Sequence, residues 1–465
     1  MSSQNRSLSR RSMNIALVVL SGALLFLEFD TNAWKVVGSG WFWTHQRDTE
    51  SFIVARMVHS RQDGIFSAAG LPGLGSLNSS PPSYAAIPAR DQYRAYIKGL
   101  RFERYSPYKS QVGGQGILFS SLDRLIPSSP RTKLSLFHGF NSFLSAVVLA
   151  FIILWFFKEF GLLPAVFVLV STVASQWLVV FARNLWWSVW AFYLPMLVVM
   201  SYLRRRPVPS ARQAWTLGGL LAASLFAKCL FNGYEFLTTT LLMAVVPLAY
   251  YSVRDRWAVG HLLRYGLAAS LAAVLAVALS LGILLAQIGS LKEDAGNGGH
   301  YILWTMKKRT HGNSRDFPTV YAASLKSGTL SVVLSYIKGP FLSSHDFMPA
   351  ESSGSTPSRF QISYASLLAL FAAASVLLLL RRKASAFPLR PRAGPALLAA
   401  TWFSLLAPLS WFVLFKAHSY IHTHMNFLVW QMPFTLFGFA LCGFALRSFF
   451  KMGKNSPLLH PGGPR

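Results

Sequence analysis

Two carboxylates lie close together directly after the first long hydrophobic segment of this chain. The stretch "WFWTHQRDTESFIVARMVHSRQDG" (41–64) carries Asp48 and Glu50, although the whole sequence has only 16 acidic residues against 44 lysines and arginines. Asp48 occupies the expected position of a helix N-cap, and Glu50 falls in the first turn, where the helix dipole favours an anion. The pair predicts a helix start, a general base, or both, because a carboxylate held at a helix start can still accept a proton.

Two further segments carry polar side chains beside aromatic ones. The first, "RYSPYKSQVGGQG" (104–116), is either a glycine-containing loop whose backbone can approach a polar ligand or a plain surface turn. The second, "FARNLWWSVWAFYLP" (181–195), is either an arginine and tryptophans that suit a sugar face or lipid phosphate, or an interfacial aromatic belt. The candidate binding residues of these segments are Tyr105, Lys109, Gln111, Gln115, Arg183 and Trp187.

The last two polar segments contain charged candidates. In "FNGYEF" (231–236), Tyr234 precedes Glu235 at the predicted end of a membrane span, where an acid is costly unless it is paired or functional. The stretch "KAHSYIHTHMNFLVW" (416–430) is either a phosphate-binding cluster or a solvated helix end. Its candidates are Lys416, His418, His422 and His424. Because the histidines lack the intervening glutamate of an HExxH motif, no metal site is predicted, and a divalent cation is neither required nor excluded.

The composition places these segments in a membrane protein. Of the 465 residues, 53% are hydrophobic and 14% aromatic, which is more apolar surface than a soluble domain can bury. Apolar runs of about 20 residues, the length of a membrane-crossing helix, recur along the chain. The sequence predicts an all-α polytopic membrane protein with about ten transmembrane helices, near 13–29, 134–157, 161–181, 187–203, 214–231, 236–252, 265–289, 362–380, 395–415 and 427–446.

Basic residues set the predicted orientation. With a cytoplasmic N-terminus, the inner segments are rich in lysine and arginine, as the positive-inside rule requires. They are 204–212, 253–264, 381–392 and the tail after Arg447. Two long extracytoplasmic loops then span 30–133 and 290–361, and their apolar stretches "FIVARMV" and "SVVLSYI" predict short amphipathic helices on the membrane surface. All five polar segments fall on this outer face.

The net charge and the cysteines limit the partners. A formal charge of +28 suggests nucleic acid in a soluble protein, but basic loops beside anionic lipids explain it here. The sequence has no Walker loop or dinucleotide-binding fingerprint. The only cysteines, Cys229 and Cys442, lie in apolar runs, so a structural disulfide is not expected. Membrane lipids are the expected partners, and nucleic acid is not.

These features resemble the integral-membrane GT-C glycosyltransferases, which take sugars from polyprenyl-phosphate donors. Members share a first span followed by a long outer loop with an acidic motif and an amphipathic helix. The matching stretch is "DTESFIVARM" (48–57), followed by "YKSQVGGQG" (108–116), and the resemblance covers roughly the first half of the chain. It implies that Asp48 is the general base for the acceptor, with Glu50 as its neighbour. The family motif varies between DE and DxD, so "DTE" leaves both carboxylates as candidates.

The resemblance implies an inverting transfer to a glycan, lipid or protein acceptor, without a cofactor. The leaving lipid phosphate would be stabilised by Lys416, His418, His422 and Arg183. It also implies a bacterial inner-membrane protein with a periplasmic site, and a division into a GT-C-like module (1–260) and C-terminal helices (261–465). The alternatives are a transporter or flippase of lipid-linked glycans, which would place ionisable groups at mid-span, and an O-antigen-type ligase or polymerase.

Overall fold

Some of the helices begin where the sequence supplies a capping side chain. In the computed structural model of the chain, Ser129 Oγ accepts a hydrogen bond from the Thr132 amide, and Pro130 occupies the first turn of a 31-residue helix. Serines cap two further helices in the same way, because the hydroxyl accepts a bond from an amide without a partner inside the helix. The 31-residue helix ends at Gly161, whose φ of 91° glycine adopts without strain.

The structure describes residues 3–78, 89–206, 208–291, 296–343, 360–381 and 392–453. The helices of the first part are α1 (Ser3–Thr31), α2 (Ser39–Thr44), α3 (Arg47–Asp63), α4 (Ala89–Lys98), α5 (Gly114–Leu125), α6 (Pro130–Phe160), α7 (Leu162–Val173), α8 (Gln176–Ala182), α9 (Val189–Arg205), α10 (Ala211–Asn232) and α11 (Leu237–Arg254). The helices of the second part are α12 (Val259–Gly289), α13 (Gly298–Arg309), α14 (Ala322–Lys326), α15 (Thr329–Lys338), α16 (Tyr364–Arg381), α17 (Ala393–Ser404), α18 (Leu406–Leu414), α19 (Lys416–Ile421), α20 (Thr423–Asn426) and α21 (Phe434–Gly453). Most of the basic segment 381–392, and part of the loop 290–361, lie outside the described residues.

Within the described ranges, six helical segments are long and apolar enough to cross a membrane. They are Arg11–Thr31, Pro130–Phe160, Ala211–Asn232, Leu237–Arg254, Val259–Gly289 and Ala393–Leu414. Two bent pairs, α7 with α8 and Thr423–Gln431 with Phe434–Ser448, raise the number to eight if each pair is one span. The helical class is therefore confirmed, whereas the expected number of about ten spans is not reached. The predicted spans 187–203 and 362–380 correspond to α9, with 17 residues, and to the shorter apolar helix Tyr364–Leu380.

The first outer loop folds into a cap over the helix ends. Its strands β1 (Gly73–Ser76) and β2 (Arg104–Pro107) pair antiparallel, and α3 packs against α4, α5 and β1. α3 is not the expected amphipathic surface helix, because its neighbours cover both faces. Ile53 and Met57 are fully buried, and so is Arg56, whose guanidinium donates to backbone carbonyls that include that of Ser67.

The second outer loop contributes a strand and an amphipathic helix, and its end pairs with that strand. β3 (Pro340–Ser343) pairs antiparallel with β4 (Gln361–Ser363). In α15, which contains the whole of "SVVLSYI", Val332 and Tyr336 are buried, whereas Leu330 and Leu334 are exposed. This helix therefore keeps the two-faced pattern that α3 lacks.

Between α8 and α9 the chain leaves helical geometry while every residue of the connection is buried. Backbone groups at such a position must find partners inside the protein, because water is excluded. Asn184 Oδ1 accepts hydrogen bonds from the amides of Trp186 and Trp187, at 2.9 and 3.3 Å. Asn232 accepts from the Ser188 amide and donates to its carbonyl, both at 2.9 Å. These side chains hold the connection in one conformation.

One hydrophobic core runs through the bundle from α1 to α21. α12 packs closely along α10, so the predicted boundary at residue 260 falls in the first turn of a helix that shares this core. The division into two parts remains a prediction.

Cysteine labelling tests the predicted orientation. We expect single cysteines at Ser128, before α6, and at Thr319, in the second outer loop, to react with an impermeant thiol reagent in intact cells. Ala258, between α11 and α12, should be protected. All three positions are exposed, and the background lacks the buried Cys229 and Cys442. Labelling of Ala258 with protection of the other two would invert the topology.

Candidate functional site

All five polar segments contribute to one cavity of about 500 Å³ at the helix ends that the sequence places outside, here called the outer cavity. Asp48 comes from the first turn of α3, Trp187 from the buried connection before α9, and Glu235 from the turn between α10 and α11. Segment 104–116 contributes Tyr108. The other lining residues that matter below are His418, His422, His424, Tyr301, Lys308 and Arg309.

Glu235 is the buried anion of the outer cavity. Its Oε1 lies 2.6 Å from Arg309 Nη1, and its Oε2 lies 3.3 Å from His418 Nε2, in contact but without hydrogen-bond alignment. Arg309 Nη2 also donates to the Tyr108 hydroxyl at 2.9 Å. Burial by itself raises the pKa of Glu235, but Arg309 and His418 together outweigh burial and hold that pKa below its usual range. Glu235 is therefore a carboxylate committed to Arg309 and a weak base.

Three imidazoles form a row along the cavity. The ring centroids of His418 and His422 are 4.5 Å apart, and those of His422 and His424 are 5.7 Å apart. His424 interacts electrostatically with the carboxylate of Asp48. Burial lowers the pKa of His418, and it lowers the pKa of His422 to about 2. These two histidines are neutral at physiological pH. They can exchange hydrogen bonds with a ligand, but they do not supply the positive charge that the sequence suggested.

The cations of the outer cavity come instead from the end of α13. Lys308 Nζ lies 4.4 Å from the centroid of the Trp304 ring and 4.8 Å from that of Tyr321. Burial and the neighbouring Arg309 lower the pKa of Lys308 to about 8, so its ammonium is still mostly charged at neutral pH. The sequence signal was the basic run in "WTMKKRT", but basic residues at a helix C-terminus are common for dipole reasons and do not by themselves indicate a site.

Lys416 has a different environment from the one expected. Its Nζ donates to the carbonyls of Leu325 at 2.8 Å and Ser327 at 2.6 Å, and the side chain does not line the outer cavity. The lysine therefore satisfies carbonyls at the C-terminal end of α14, a common use of basic side chains. It joins α19 to the second outer loop, and the expected phosphate contact is replaced by this structural one.

The two carboxylates of α3 face different surroundings. The helix begins at Arg47 after Gln46, whose φ of 58° is left-handed, so Asp48 lies in the first turn and is not the N-cap. Residues two positions apart on a helix do not share a face. Asp48 is exposed and lines the outer cavity, whereas Glu50 is buried and lines a second cavity on the other side of α3.

Glu50 is held by three donors. The Tyr93 hydroxyl donates to Oε1, His138 Nε2 lies 2.9 Å from the same oxygen, and the Leu185 amide donates to Oε2 at 2.9 Å. Burial raises the pKa of Glu50, but these three partners outweigh it and lower that pKa to about 2. A carboxylate bound in this way positions other groups and has little basicity of its own.

The other candidates in the first outer loop do not line the cavity. Tyr105 stacks on His59 at 4.0 Å between centroids, and its hydroxyl donates to a backbone carbonyl in the cap. Lys109 lies 6.0 Å from the Tyr301 ring centroid. Gln115 Nε2 donates to the Trp186 carbonyl at 3.4 Å.

The remaining candidates are packing residues or line the second cavity. Gln111 packs against Gly233, where a Cβ would lie only 2.4 Å from the glutamine Cβ and φ is +54°, so glycine is required there. The Tyr234 hydroxyl accepts a hydrogen bond from Ser280 at 3.4 Å. Arg183 lines the second cavity.

The outer cavity thus combines an available carboxylate, neutral imidazoles and two cations in a space large enough for a small polar ligand. Among the described residues, no group of three or more histidine, cysteine, aspartate or glutamate side chains is arranged to hold a metal ion. This set can bind an anion and accept a proton from a hydroxyl.

No protein-family model matches this chain, and no curated protein or solved structure matches it at a significant level. Any inference about function therefore depends on the site itself.

Removal of the Glu50 carboxylate should destabilise the fold. Glu50→Ala leaves the donors of Tyr93, His138 and the buried Leu185 amide without their acceptor, and we expect a loss of about 3–5 kcal/mol in the free energy of unfolding. The exposed Glu103→Ala should change it by less than about 0.5 kcal/mol. Denaturant unfolding in detergent measures both. Equal stability of the two variants would show that Glu50 does not hold the cap.

The Glu50 carboxylate also makes the stability of the fold depend on pH. Because the pKa of Glu50 falls from 4.5 to about 2 in the folded state, its contribution is complete above pH 4.5 and is lost as the pH falls toward 2. The stability difference between wild type and Glu50→Gln should stay constant near neutral pH and narrow below pH 4.5. A difference that widens on acidification would contradict this assignment.

Proposed function

We propose that this chain is a membrane glycosyltransferase that moves a sugar from a polyprenyl-phosphate donor to an acceptor hydroxyl on the extracytoplasmic face. The observation that carries the proposal is the presence of Asp48, Lys308 and Arg309 in one cavity at the ends of apolar helices. Displacement of a lipid phosphate from a sugar carbon needs a base for the nucleophile and positive charge for the leaving group. A bacterial inner membrane with a periplasmic site is the expected setting.

Asp48 is the proposed general base. The other two candidate acids, Glu50 and Glu235, have lowered pKa values because strong donors hold them. The Asp48 carboxylate is exposed to the cavity, and no hydrogen bond or ion pair among the described residues engages its oxygens. It can therefore approach a substrate hydroxyl without first breaking an existing contact.

The reaction would exchange one bond at the anomeric carbon for another. Asp48 takes the proton of the acceptor hydroxyl, and the acceptor oxygen forms a bond to the anomeric carbon. The bond from that carbon to the phosphate oxygen breaks, and the lipid phosphate leaves with the electron pair. Lys308 and Arg309 meet the charge that develops on it. Attack from the side opposite the phosphate inverts the configuration.

Aromatic rings supply the proposed sugar contacts. Trp186, Trp187, Tyr108 and Tyr301 line the same cavity, and flat rings of this kind pack on the apolar faces of sugars. No comparable observation favours the transporter alternative. Lys228, the ionisable residue that the sequence places deepest in a span, donates to the Gly233 and Glu235 carbonyls at the outer helix end.

A direct assay tests the proposed activity. Purified protein in lipid nanodiscs is incubated with labelled polyprenyl-phosphate sugars and candidate acceptors. We expect release of free polyprenyl phosphate together with labelled acceptor. Movement of intact donor across a bilayer without release of lipid phosphate would favour transport, and transfer of a whole glycan from a pyrophosphate lipid would favour a ligase.

Asp48→Asn should abolish most of the activity without affecting the fold. The amide keeps the size of the side chain but has no basicity, so we expect a loss of about 10²-fold or more. Asp91→Asn is the matched control, because Asp91 also lies in the first turn of a helix and does not line the outer cavity. It should keep wild-type activity. A fully active Asp48→Asn protein would remove Asp48 from the mechanism.

Lys308→Ala should weaken donor binding. Loss of one charge-assisted contact corresponds to about 1.5–3 kcal/mol, or roughly tenfold to a hundredfold in affinity for a non-hydrolysable polyprenyl-phosphate sugar. Lys307→Ala is the control, because this neighbouring lysine is exposed and does not line the cavity. Asp48→Asn should bind the donor nearly as wild type does. Equal affinity of the two lysine variants would exclude Lys308 from the phosphate site.

A further inference from the structure

The second polar cavity, here called the Arg183 cavity, lies across α3 from the outer cavity. It has a volume of about 590 Å³ and opens between α3 and the outer ends of α1 and α6. The residues that define its chemistry are Asp30, Trp43, Arg47, Arg131 and Arg183, together with His45 and the pinned Glu50. The proposed transfer reaction uses none of its side chains.

Two buried nitrogen atoms at this cavity have no hydrogen-bond partner among the described residues. The first is Nε of Arg183, a residue that is only 9% exposed. Its guanidinium is fixed, because it lies 4.3 Å from the Trp43 ring centroid and its Nη2 lies 3.3 Å from His138 Nδ1. The second is Nε2 of His45. Unsatisfied buried polar atoms are costly and uncommon. Arg183 Nε always carries a hydrogen, and His45 Nε2 carries one in one of the two tautomers of the neutral ring. The Arg183 donor therefore indicates a place for a ligand with acceptor oxygens, and His45 can add a second donor.

The charge of the cavity favours an anion. Three guanidinium groups line it, those of Arg47, Arg131 and Arg183, against two carboxylates. Glu50 is already bound by three donors. Asp30 accepts a weak hydrogen bond from Ser142 Oγ at 3.5 Å. A guanidinium group can bind two phosphate oxygens at once through parallel N–H donors. It is favoured at partly buried sites because it is weakly hydrated.

Apolar surface on α1 and α6 continues below the cavity. Leu27 lies one turn before Asp30 on α1, and Phe143 follows Ser142 on α6. Both are exposed, by 47% and 53%. Phe143 packs edge-on against Phe26 of α1, at 6.4 Å between centroids, so the two helices present a shared apolar face. A molecule with its phosphate among the arginines would lay hydrocarbon chains along this face.

We propose that the Arg183 cavity binds the phosphate group of a membrane phospholipid in the leaflet at these helix ends. The site is separate from the proposed donor site and does not depend on the proposed glycosyl transfer. Arg183 and Arg131 hold the phosphate oxygens, and the α1–α6 face receives the acyl chains.

Calorimetric titration of the purified protein in detergent tests the site. The probes are dioctanoyl phosphatidylglycerol, dioctanoylglycerol, which lacks the phosphate, and inorganic phosphate. We expect saturable binding of the phospholipid and much weaker binding of the other two. Arg131→Gln should weaken phospholipid binding by about tenfold or more, and because Arg131 is exposed this variant should fold normally. Arg183→Gln should have at least the same effect.

Two controls separate this site from general charge effects. Arg315→Gln removes an exposed arginine of the second outer loop, and Lys308→Ala removes a cation of the outer cavity. Neither should change phospholipid binding. Wild-type affinity in both Arg131→Gln and Arg183→Gln would overturn the site. Equal binding of dioctanoylglycerol would overturn phosphate recognition, and equal affinity for inorganic phosphate would overturn the assignment to a lipid.

Discussion

The buried carboxylate of Glu50 joins three parts of the chain that lie far apart in the sequence. It accepts hydrogen bonds from Tyr93 of α4 and the Leu185 amide, and it pairs with His138 of α6. The Leu185 amide belongs to a buried connection that leaves helical geometry, so it needs a partner inside the protein. A buried charge is costly to desolvate, and only several donors together offset that cost. The cap, α6 and the connection before α9 are therefore fixed relative to one another by one side chain.

The position of Asp48 follows from this interaction. Glu50 turns one side of α3 toward α4 and α6, so the residue two positions earlier faces the outer cavity. A catalytic group works best on a rigid element whose own contacts are satisfied elsewhere. The two acids have these two different roles. Glu50 holds α3 in place, and the carboxylate oxygens of Asp48 can contact a ligand.

The opposite wall of the outer cavity depends on contacts between the middle and the end of the chain. Glu235 holds Arg309 of the second outer loop, and Lys416 holds the carbonyls at the end of α14. Lys228 binds the carbonyls of Gly233 and Glu235 and so fixes the turn that presents this acid. Lys416 and Lys228 thus serve to position the wall, whereas Lys308 and Arg309 also line the cavity, where their charge can meet a ligand.

Hydropathy and charge in the sequence were sufficient to predict a helical membrane protein, the six long spans, and the five polar segments that meet at one set of helix ends. Each span and each polar segment covers about 20 neighbouring residues, so a local pattern reveals it, and the charge bias of the loops places the segments on one face. The number of spans was less certain, because a bent pair such as α7 with α8 counts as a span only if its two helices are taken together, and a short apolar helix such as Tyr364–Leu380 has the composition of a span without its length.

The roles of individual side chains were decided only by the tertiary structure. Glu50 and Leu185 are 135 positions apart, and Arg309 and Glu235 are 74 positions apart. No local pattern could therefore show that Glu50 is held by hydrogen bonds or that Glu235 is paired with an arginine. The same holds for Lys416, whose carbonyl partners lie about 90 positions earlier, and for the histidines, whose charge is lost through burial. The sequence by itself determined which residues are polar and on which side of the membrane they are expected. The packing of distant segments determined the charge and basicity of these residues and whether they can contact a ligand. These properties depend on desolvation and on nearby partners, and only the folded chain brings such partners within a few ångströms.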